Sequence, residues 1–323
     1  MRKGIHRIAV TSGCILLCLF CAACRKESGF RTGGKVSDAY VDPNKMEEVA
    51  EGDLKAKNYD YDYEGLTYEL AWSDEFDYEG LPDDTKWNYD VGGSGWGNRE
   101  LQYYTPDKNA YVEDGNLVIE SRKEEYQGTG YTSARMITKG KGDWLYGKIE
   151  VRAKLPEGRG TWPAIWMLPT DWVYGNWPAS GEIDIMEHVG YDMNRVHASV
   201  HTQSYYHKIN TQKSESKYVE GVSEDFHVYM VEWLPDKIMA YIDGEKYFTF
   251  EPVKYKPNPT YKEWPFDQRM HLLLNIAVGG DWGGVKGVDE EIFPRQMLVD
   301  YVRVYQSEEI NRLIEGRQAE GAN

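Results

Sequence analysis

Three carboxylates stand close together in the run GEIDIMEH, Glu182, Asp184 and Glu187, separated by Ile183, Ile185 and Met186. Neighbouring carboxyls can divide acid, base and nucleophile roles between them, and the apolar residues between these read as the buried face of a β-strand. Side chains alternate along a strand, so Glu182 and Asp184 share a face while Glu187, five positions beyond Glu182, points away. One extra residue at Ile185 or Met186 reverses that. A β-bulge inserts such a residue, and bulges occur beside active sites, where they re-aim a side chain. The spacing therefore predicts a bulged strand with all three acids on one face. Glu182 and Glu187 are then roughly 13 Å apart between Cα atoms, at ~3.3 Å per strand step. Side chains leaning together bring the carboxyls within reach of the ~5 to 5.5 Å separation of retaining glycosidases, although this arithmetic leaves inversion open.

Two other readings compete. A solvated strand face would leave three like charges repelling one another without use. A metal site would need converging histidines and carboxylates, but His188 directly follows Glu187 and so faces away from the acids, and no H-E-x-x-H pattern is present.

The elements that hold this strand are β-strands too. From Tyr68 onward short alternating segments recur between turn signals, among them YGKIEVRAKLP, FHVYMVEWL, MHLLLNIAV and MLVDYVRVYQ, and Asp243-Gly244 between two such runs marks a hairpin. No sustained helical period and no strand–helix alternation occurs, so the class is all-β, two curved antiparallel sheets packed face to face. In TWPAIWML, Trp162, Ala164 and Trp166 fall on one face and Pro163, Ile165 and Met167 on the other. His197, Ser199 and His201 likewise share a face directly after the acidic strand, where a hairpin would set them beside the carboxylates. SEEINRLIEGRQ, after Gln306, begins with a helix cap and reads as a short terminal helix or a fraying tail over 307–323.

The 323 residues are ample for a core, and 11 Trp with 25 Tyr favour a carbohydrate ligand, because aromatic faces stack on sugar rings. The formal charge is −16, and setting aside the first 23 residues, whose only charges are the basic Arg2, Lys3 and Arg7, leaves −19. Such a surface excludes nucleic acid and disfavours polyanions. All four cysteines lie within the first 24 residues, in a segment with a basic start, an apolar stretch from Ile8 to Phe20 and the end CAAC. This reads as a bacterial lipoprotein signal over 1–23, with Cys24 acylated as the mature first residue and ordinary cleavage near Ala23 as the alternative. The expected location is the outer membrane, with the lipid as the only membrane contact. Either way the mature chain has no internal disulfide. Residues 24–66 are polar and aperiodic and read as a tether to a domain over 67–306.

The motifs AWSDEFDYEG, GGSGWGNRELQYYT, YTSARMITKG, YGKIEVRAKLPEGRGTWPAIWMLP, WPASGEIDIMEHVG, VHASVHTQSYYH, LLLNIAVGGDWGG and MLVDYVRVYQ follow one another from about Leu70 to Gln306. In this order they resemble glycoside hydrolase family 16, in particular its laminarinase-like members. The resemblance implies a β-jelly-roll whose concave sheet binds a neutral β-glucan and hydrolyses it with retention, needing no cofactor for catalysis. Glu182 matches the nucleophile, Glu187 the general acid/base and Asp184 the assisting carboxylate. Asn98 and Arg135 match ligands of sugar hydroxyls, Trp166 and Trp177 stacking platforms, His201 a polar group near the acid/base, and Trp162 and Trp282 the cleft edge. Glu75, Gly115 and Asp300 match positions around one structural calcium on the convex side. β-1,3-Glucan and mixed-linkage β-1,3/1,4-glucan both suit this strand, transglycosylation is a third outcome of it, and the protein is expected to be a monomer. A non-catalytic glucan-binding lipoprotein is the rival of a different class, disfavoured by the presence of all three acids.

Overall fold

The computed structural model describes Tyr63 and Leu66–Gly321, with side chains as far as Ile314. The signal segment, Cys24 and nearly all of the tether lie outside these residues. The described ones belong to one compact unit, Gly34–Asn323. Tyr63, inside the segment read as tether, already touches the domain, its hydroxyl donating to Asp236 Oδ1 at 2.8 Å.

Two sheets, of ten and eight strands, account for the described chain, and they pack face to face as a jelly-roll sandwich. Alternation decides which face of each strand is inside. In Gly147–Lys154, near the middle of the ten-stranded sheet, Ile149, Val151 and Ala153 are buried while Lys148, Glu150, Arg152 and Lys154 are half-exposed on the outer face. The eight-stranded sheet answers with Ile165, Met167, Ile183, Ile185, Leu272, Leu274 and Ile276, all at most 1% exposed. Burying each such side chain stabilises the sandwich by about 1.5–3 kcal/mol. Asp243 and Gly244 join strands Ile238–Ile242 and Glu245–Phe250 with φ of 51° and 79°, the two left-handed residues of a tight hairpin turn. The terminal segment does form a helix, Glu308–Gly321, reaching further than a short cap.

The eight-stranded sheet runs, edge to edge, Lys213–Tyr218, Arg195–His201, Glu182–His188, Thr161–Pro169, Met270–Val278, Arg135–Ile137 and Asn88–Tyr89, with the short Asp143–Trp144 also pairing to Met270–Val278. Its inner face meets the core, and its other face is the floor of a cleft. Glycines let the acidic strand into place at both ends. A Cβ at Gly181 would lie 2.7 Å from the Pro265 ring, and one at Gly190 would lie 1.8 Å from the Gly158 carbonyl oxygen. No side chain fits at either point.

The positions matched to calcium meet at one gap in the ten-stranded sheet. Strand Arg295–Gln306 pairs with Leu117 up to Val299 and with Asp74 from Val302, leaving Asp300 and Tyr301 between the two neighbours' ends, where Gly115 and Glu75 follow in the chain. Asp300 is also skipped in the pairing with Gly147–Lys154. The side chains are already engaged, Glu75 by Arg303 at 2.7 Å and Asp300 by Arg152 at 2.5 Å.

Candidate active site

The acidic strand is bulged. Against Arg195–His201, Asp184 pairs with Ser199 and Glu187 with His197, so three steps on one strand face two on the other. Against Thr161–Pro169, Met186 pairs with Ile165 and Asp184 with Trp166, which leaves Ile185 as the extra residue. Ile185 and Met186 both drop into the core, and Glu187 returns to the face of Glu182 and Asp184. His188 then faces inward and is wholly buried, and burial pushes its pKa down to about 4.

All three acids line a cleft of about 870 Å³ together with Asn98, Arg135, Trp162, Trp166 and Trp177. The tryptophans do more than present rings. Trp177 Nε1 donates to Glu182 Oε2 at 2.8 Å and Trp162 Nε1 donates to Glu187 Oε1 at 3.1 Å. Trp166 Nε1 donates instead to Asn275 Oδ1 at 2.7 Å. Arg135 is buried, ion-paired with Asp90 at 3.0 Å and held between the rings of Trp96 and Trp166, 4.8 and 4.6 Å from their centroids. It is therefore a structural ion pair as well as part of the cleft wall.

Sheet order fixes where His201 and Trp282 sit. His201 Nε2 lies 3.2 Å from Asp184 Oδ2 and 3.8 Å from Glu182 Oε1, whereas the cross-strand neighbour of the acid/base candidate Glu187 is His197. The reason is the hairpin: a returning strand places its far end, His201, opposite the near end of the first strand, Glu182. Trp282, half-exposed, packs its ring edge-on against the cleft-lining Trp162 and against His197, with centroids 5.5 and 5.0 Å away.

Burial is the first cause of the electrostatics. It pushes Glu182, Asp184 and Glu187 each up to about 8, with the charge of Asp184 adding to the rise at both glutamates. Trp177 and His201 act the other way at Glu182, as do His201 and Trp162 at Glu187. The Glu182 side chain draws the Asp184 pKa back down against burial. Such a cluster cannot ionise together and keeps protons near neutral pH, so an acid and an anion coexist on one wall. Glu182, Asp184 and His201 are the one trio of metal-type donors converging within 4.8 Å among the described residues. His201 Nε2 stands 3.2 Å from Asp184 Oδ2, an ion-pair contact when the imidazole is protonated, while Asp184 Oδ2 itself has no hydrogen-bond partner.

Sequence reasoning missed Trp96, Glu100, Tyr104, Trp172, His207, Lys208 and Asn275 in the lining. Asn275 carried a signal, as the lone polar side chain after three leucines in LLLNIAV. Glu100 and Tyr104 stand within the quoted run GNRELQYYT, but nothing local says that they turn inward.

A sandwich whose open face sets paired carboxyls among indoles is built to cut glycosidic bonds. The chain matches the family model "Glycosyl hydrolases family 16" over residues 97–303, and it belongs to that family. It is 56% identical over 243 residues to the beta-glucanase of Rhodothermus marinus, covering 74% of this chain and 85% of that protein. The X-ray structure of the laminarinase from Rhodothermus marinus matches with a TM-score of 0.74 at 55% identity, over 75% of this chain and 99% of that one. SCLam, a non-specific endo-beta-1,3(4)-glucanase from the same family, matches with a TM-score of 0.69 at 45% identity, over 79% and 95% of the two chains. The protein is a glycoside hydrolase of the laminarinase-like group.

Proposed function

We propose that the protein is an endo-acting β-1,3-glucanase that retains anomeric configuration. The observation that carries this reading is the bulge at Ile185, which returns Glu187 to the wall of Glu182 and Asp184. The substrate class follows the relatives named as a beta-glucanase and a laminarinase. The carboxyl of Glu187 gives its proton to the glycosidic oxygen as that oxygen leaves the anomeric carbon. The carboxylate of Glu182 attacks the same carbon from the opposite side and forms an ester to the sugar. Glu187, now ionised, takes a proton from water, the water oxygen bonds to the anomeric carbon, and the ester to Glu182 breaks. Both carboxyls end as they began. Asp184, whose charge acts on Glu182, follows the change of charge there as the ester forms and breaks.

Mixed-linkage β-1,3/1,4-glucan is the second reading, favoured by the match to a non-specific endo-beta-1,3(4)-glucanase. Export and acylation at Cys24 are proposed from the basic start, apolar stretch and CAAC end. A calcium ion at the gap between Glu75, Gly115 and Asp300 is proposed as structural, with no part in the chemistry. The test of the central claim is proton NMR of the first product released from laminarin. Retention shows the β-anomer first, and Glu182→Gln abolishes release. An α-anomer formed first, or a Glu182→Gln protein that still cleaves, refutes the mechanism.

A further inference from the structure

Beyond the three catalytic acids, the cleft lining contains a fourth, Glu100. It is surrounded by donors. Gln102 Nε2 donates to Oε2 at 2.6 Å, the Tyr104 hydroxyl donates to the same oxygen at 3.2 Å, and Asn98 Nδ2 donates to Oε1 at 3.3 Å. The direction of these bonds is fixed from outside. The Val278 backbone N–H donates to Gln102 Oε1 at 2.7 Å, so the Gln102 amide nitrogen must face Glu100. The Trp166 indole can only donate, and it donates to Asn275 Oδ1, so Asn275 Nδ2 must donate onward to the Tyr104 oxygen, 3.0 Å away. The Tyr104 proton is thereby left for Glu100. Each path ends on the carboxylate as acceptor, a role an ionised glutamate fills and an amide can fill only in part.

We propose that Glu100 is a positioning residue for glucan recognition, a half-buried carboxylate that orients Asn98 directly and Trp166 through Tyr104 and Asn275. The inference rests on reading the cleft as a glucan site and names which of its groups is held by what. The position is remote from the reacting bond. Glu187, Ala164, Asn275 and Arg135 form one cross-strand row, so Asn275 lies two strands from Glu187, about 10 Å at ~4.8 Å per strand. The relay therefore serves a sugar unit next along the chain, not the one being opened. Burial raises the pKa of Glu100, and the Arg135 guanidinium and the three side-chain donors pull against that rise.

Binding and catalysis are separated by measuring affinity in an inactive background. With Glu182→Gln as the parent, titration calorimetry with a β-1,3-linked glucohexaose compares Glu100→Gln, Tyr104→Phe and the double variant. Glu100→Gln should weaken binding roughly tenfold, the scale of a lost charge-assisted hydrogen bond. Tyr104→Phe, which deletes one oxygen and no charge, should weaken it severalfold, and the double variant should lose little beyond Glu100→Gln alone. In the active background the loss should fall on KM more than on kcat, which a general loosening of the fold would not produce. Unchanged affinity in Tyr104→Phe, or losses that simply add, overturns the relay. Absence of laminarin cleavage by the otherwise unaltered protein would sink the glucanase reading and leave the affinity result to be judged by itself.

Discussion

Asp184→Asn tests the electrostatics of the bulged strand most directly. Asp184 raises the pKa of Glu187, second only to burial, so removing its charge should let Glu187 ionise more readily. The bulge makes Asp184 and Glu187 equivalent to two strand steps apart, because their partners Ser199 and His197 are two residues apart. At ~3.3 Å per step that is ~6.6 Å, and two charges at this distance with an effective dielectric of about 20 interact by about 2.5 kcal/mol. This corresponds to a ceiling of about 1.8 pKa units, and sharing of protons within the cluster reduces the observed shift to about 1. The alkaline limb of kcat/KM on a soluble β-1,3-gluco-oligosaccharide should therefore move toward neutrality, because the acid/base loses its proton earlier. kcat should fall as well, since the neighbouring charge that tunes Glu182 is gone. Stability gives an independent reading. Asp184 has a folded pKa of about 8 against an ordinary value near ~3.9, so between these the folded state holds the extra proton and stability falls as pH rises. Asparagine removes that loss. The variant should melt higher than the parent at neutral pH by ~2–4 °C, on the scale of ~1 kcal/mol once the lost His201 contact is offset, with the advantage fading toward acid pH. An alkaline limb that stays put or moves upward would refute the placement of Glu187 beside Asp184.

Trp162→Phe removes the N–H bond that favours ionised Glu187, so the alkaline limb should move up by about 1 unit with a roughly tenfold loss of kcat; the same pH profile measures it. Deleting Ile185 leaves Glu-Ile-Asp-Met-Glu, a regular alternation that keeps Glu187 on the face of Glu182 and Asp184 with no bulge, so laminarin cleavage should persist at a reduced rate while loss of a buried side chain lowers the melting temperature, and Ile185→Val keeps the bulge and most activity. A calcium chelator should lower the melting temperature and leave initial rates at moderate temperature unchanged, read by calorimetry before and after calcium is restored. Cys24→Ser should move the protein from the membrane fraction to the soluble fraction and end incorporation of labelled fatty acid in a bacterial host.

The acidic strand was legible because its anomaly is local. Three acids that violate period two within six residues announce a bulge, and Ile185, Met186 and Glu187 take the faces that the insertion requires. Trp162 and Trp166 were legible for the same reason: one alternating segment sorts them from Ile165 and Met167 with no knowledge of the partner strand. What local pattern could not settle is which group meets which. Shared facing leaves the order along a hairpin undetermined, and the return of the chain from His188 to Arg195 is what sets His201 opposite Glu182, from where it also acts on Glu187. Packing against Trp162 is what fixes the place of Trp282. Glu100 shows the limit most clearly. Its partners in sequence, Asn98, Gln102 and Tyr104, lie within four residues, but the bonds that orient them come from Val278, Asn275 and Trp166 on central strands of the opposite half of the chain. The direction of a hydrogen bond is set by whichever end has no choice, here an indole and a backbone N–H, and those ends reach Glu100 only once the strands are laid side by side. Residue types at a site can thus be read from a motif, while the polarity of the network that holds them follows from sheet order.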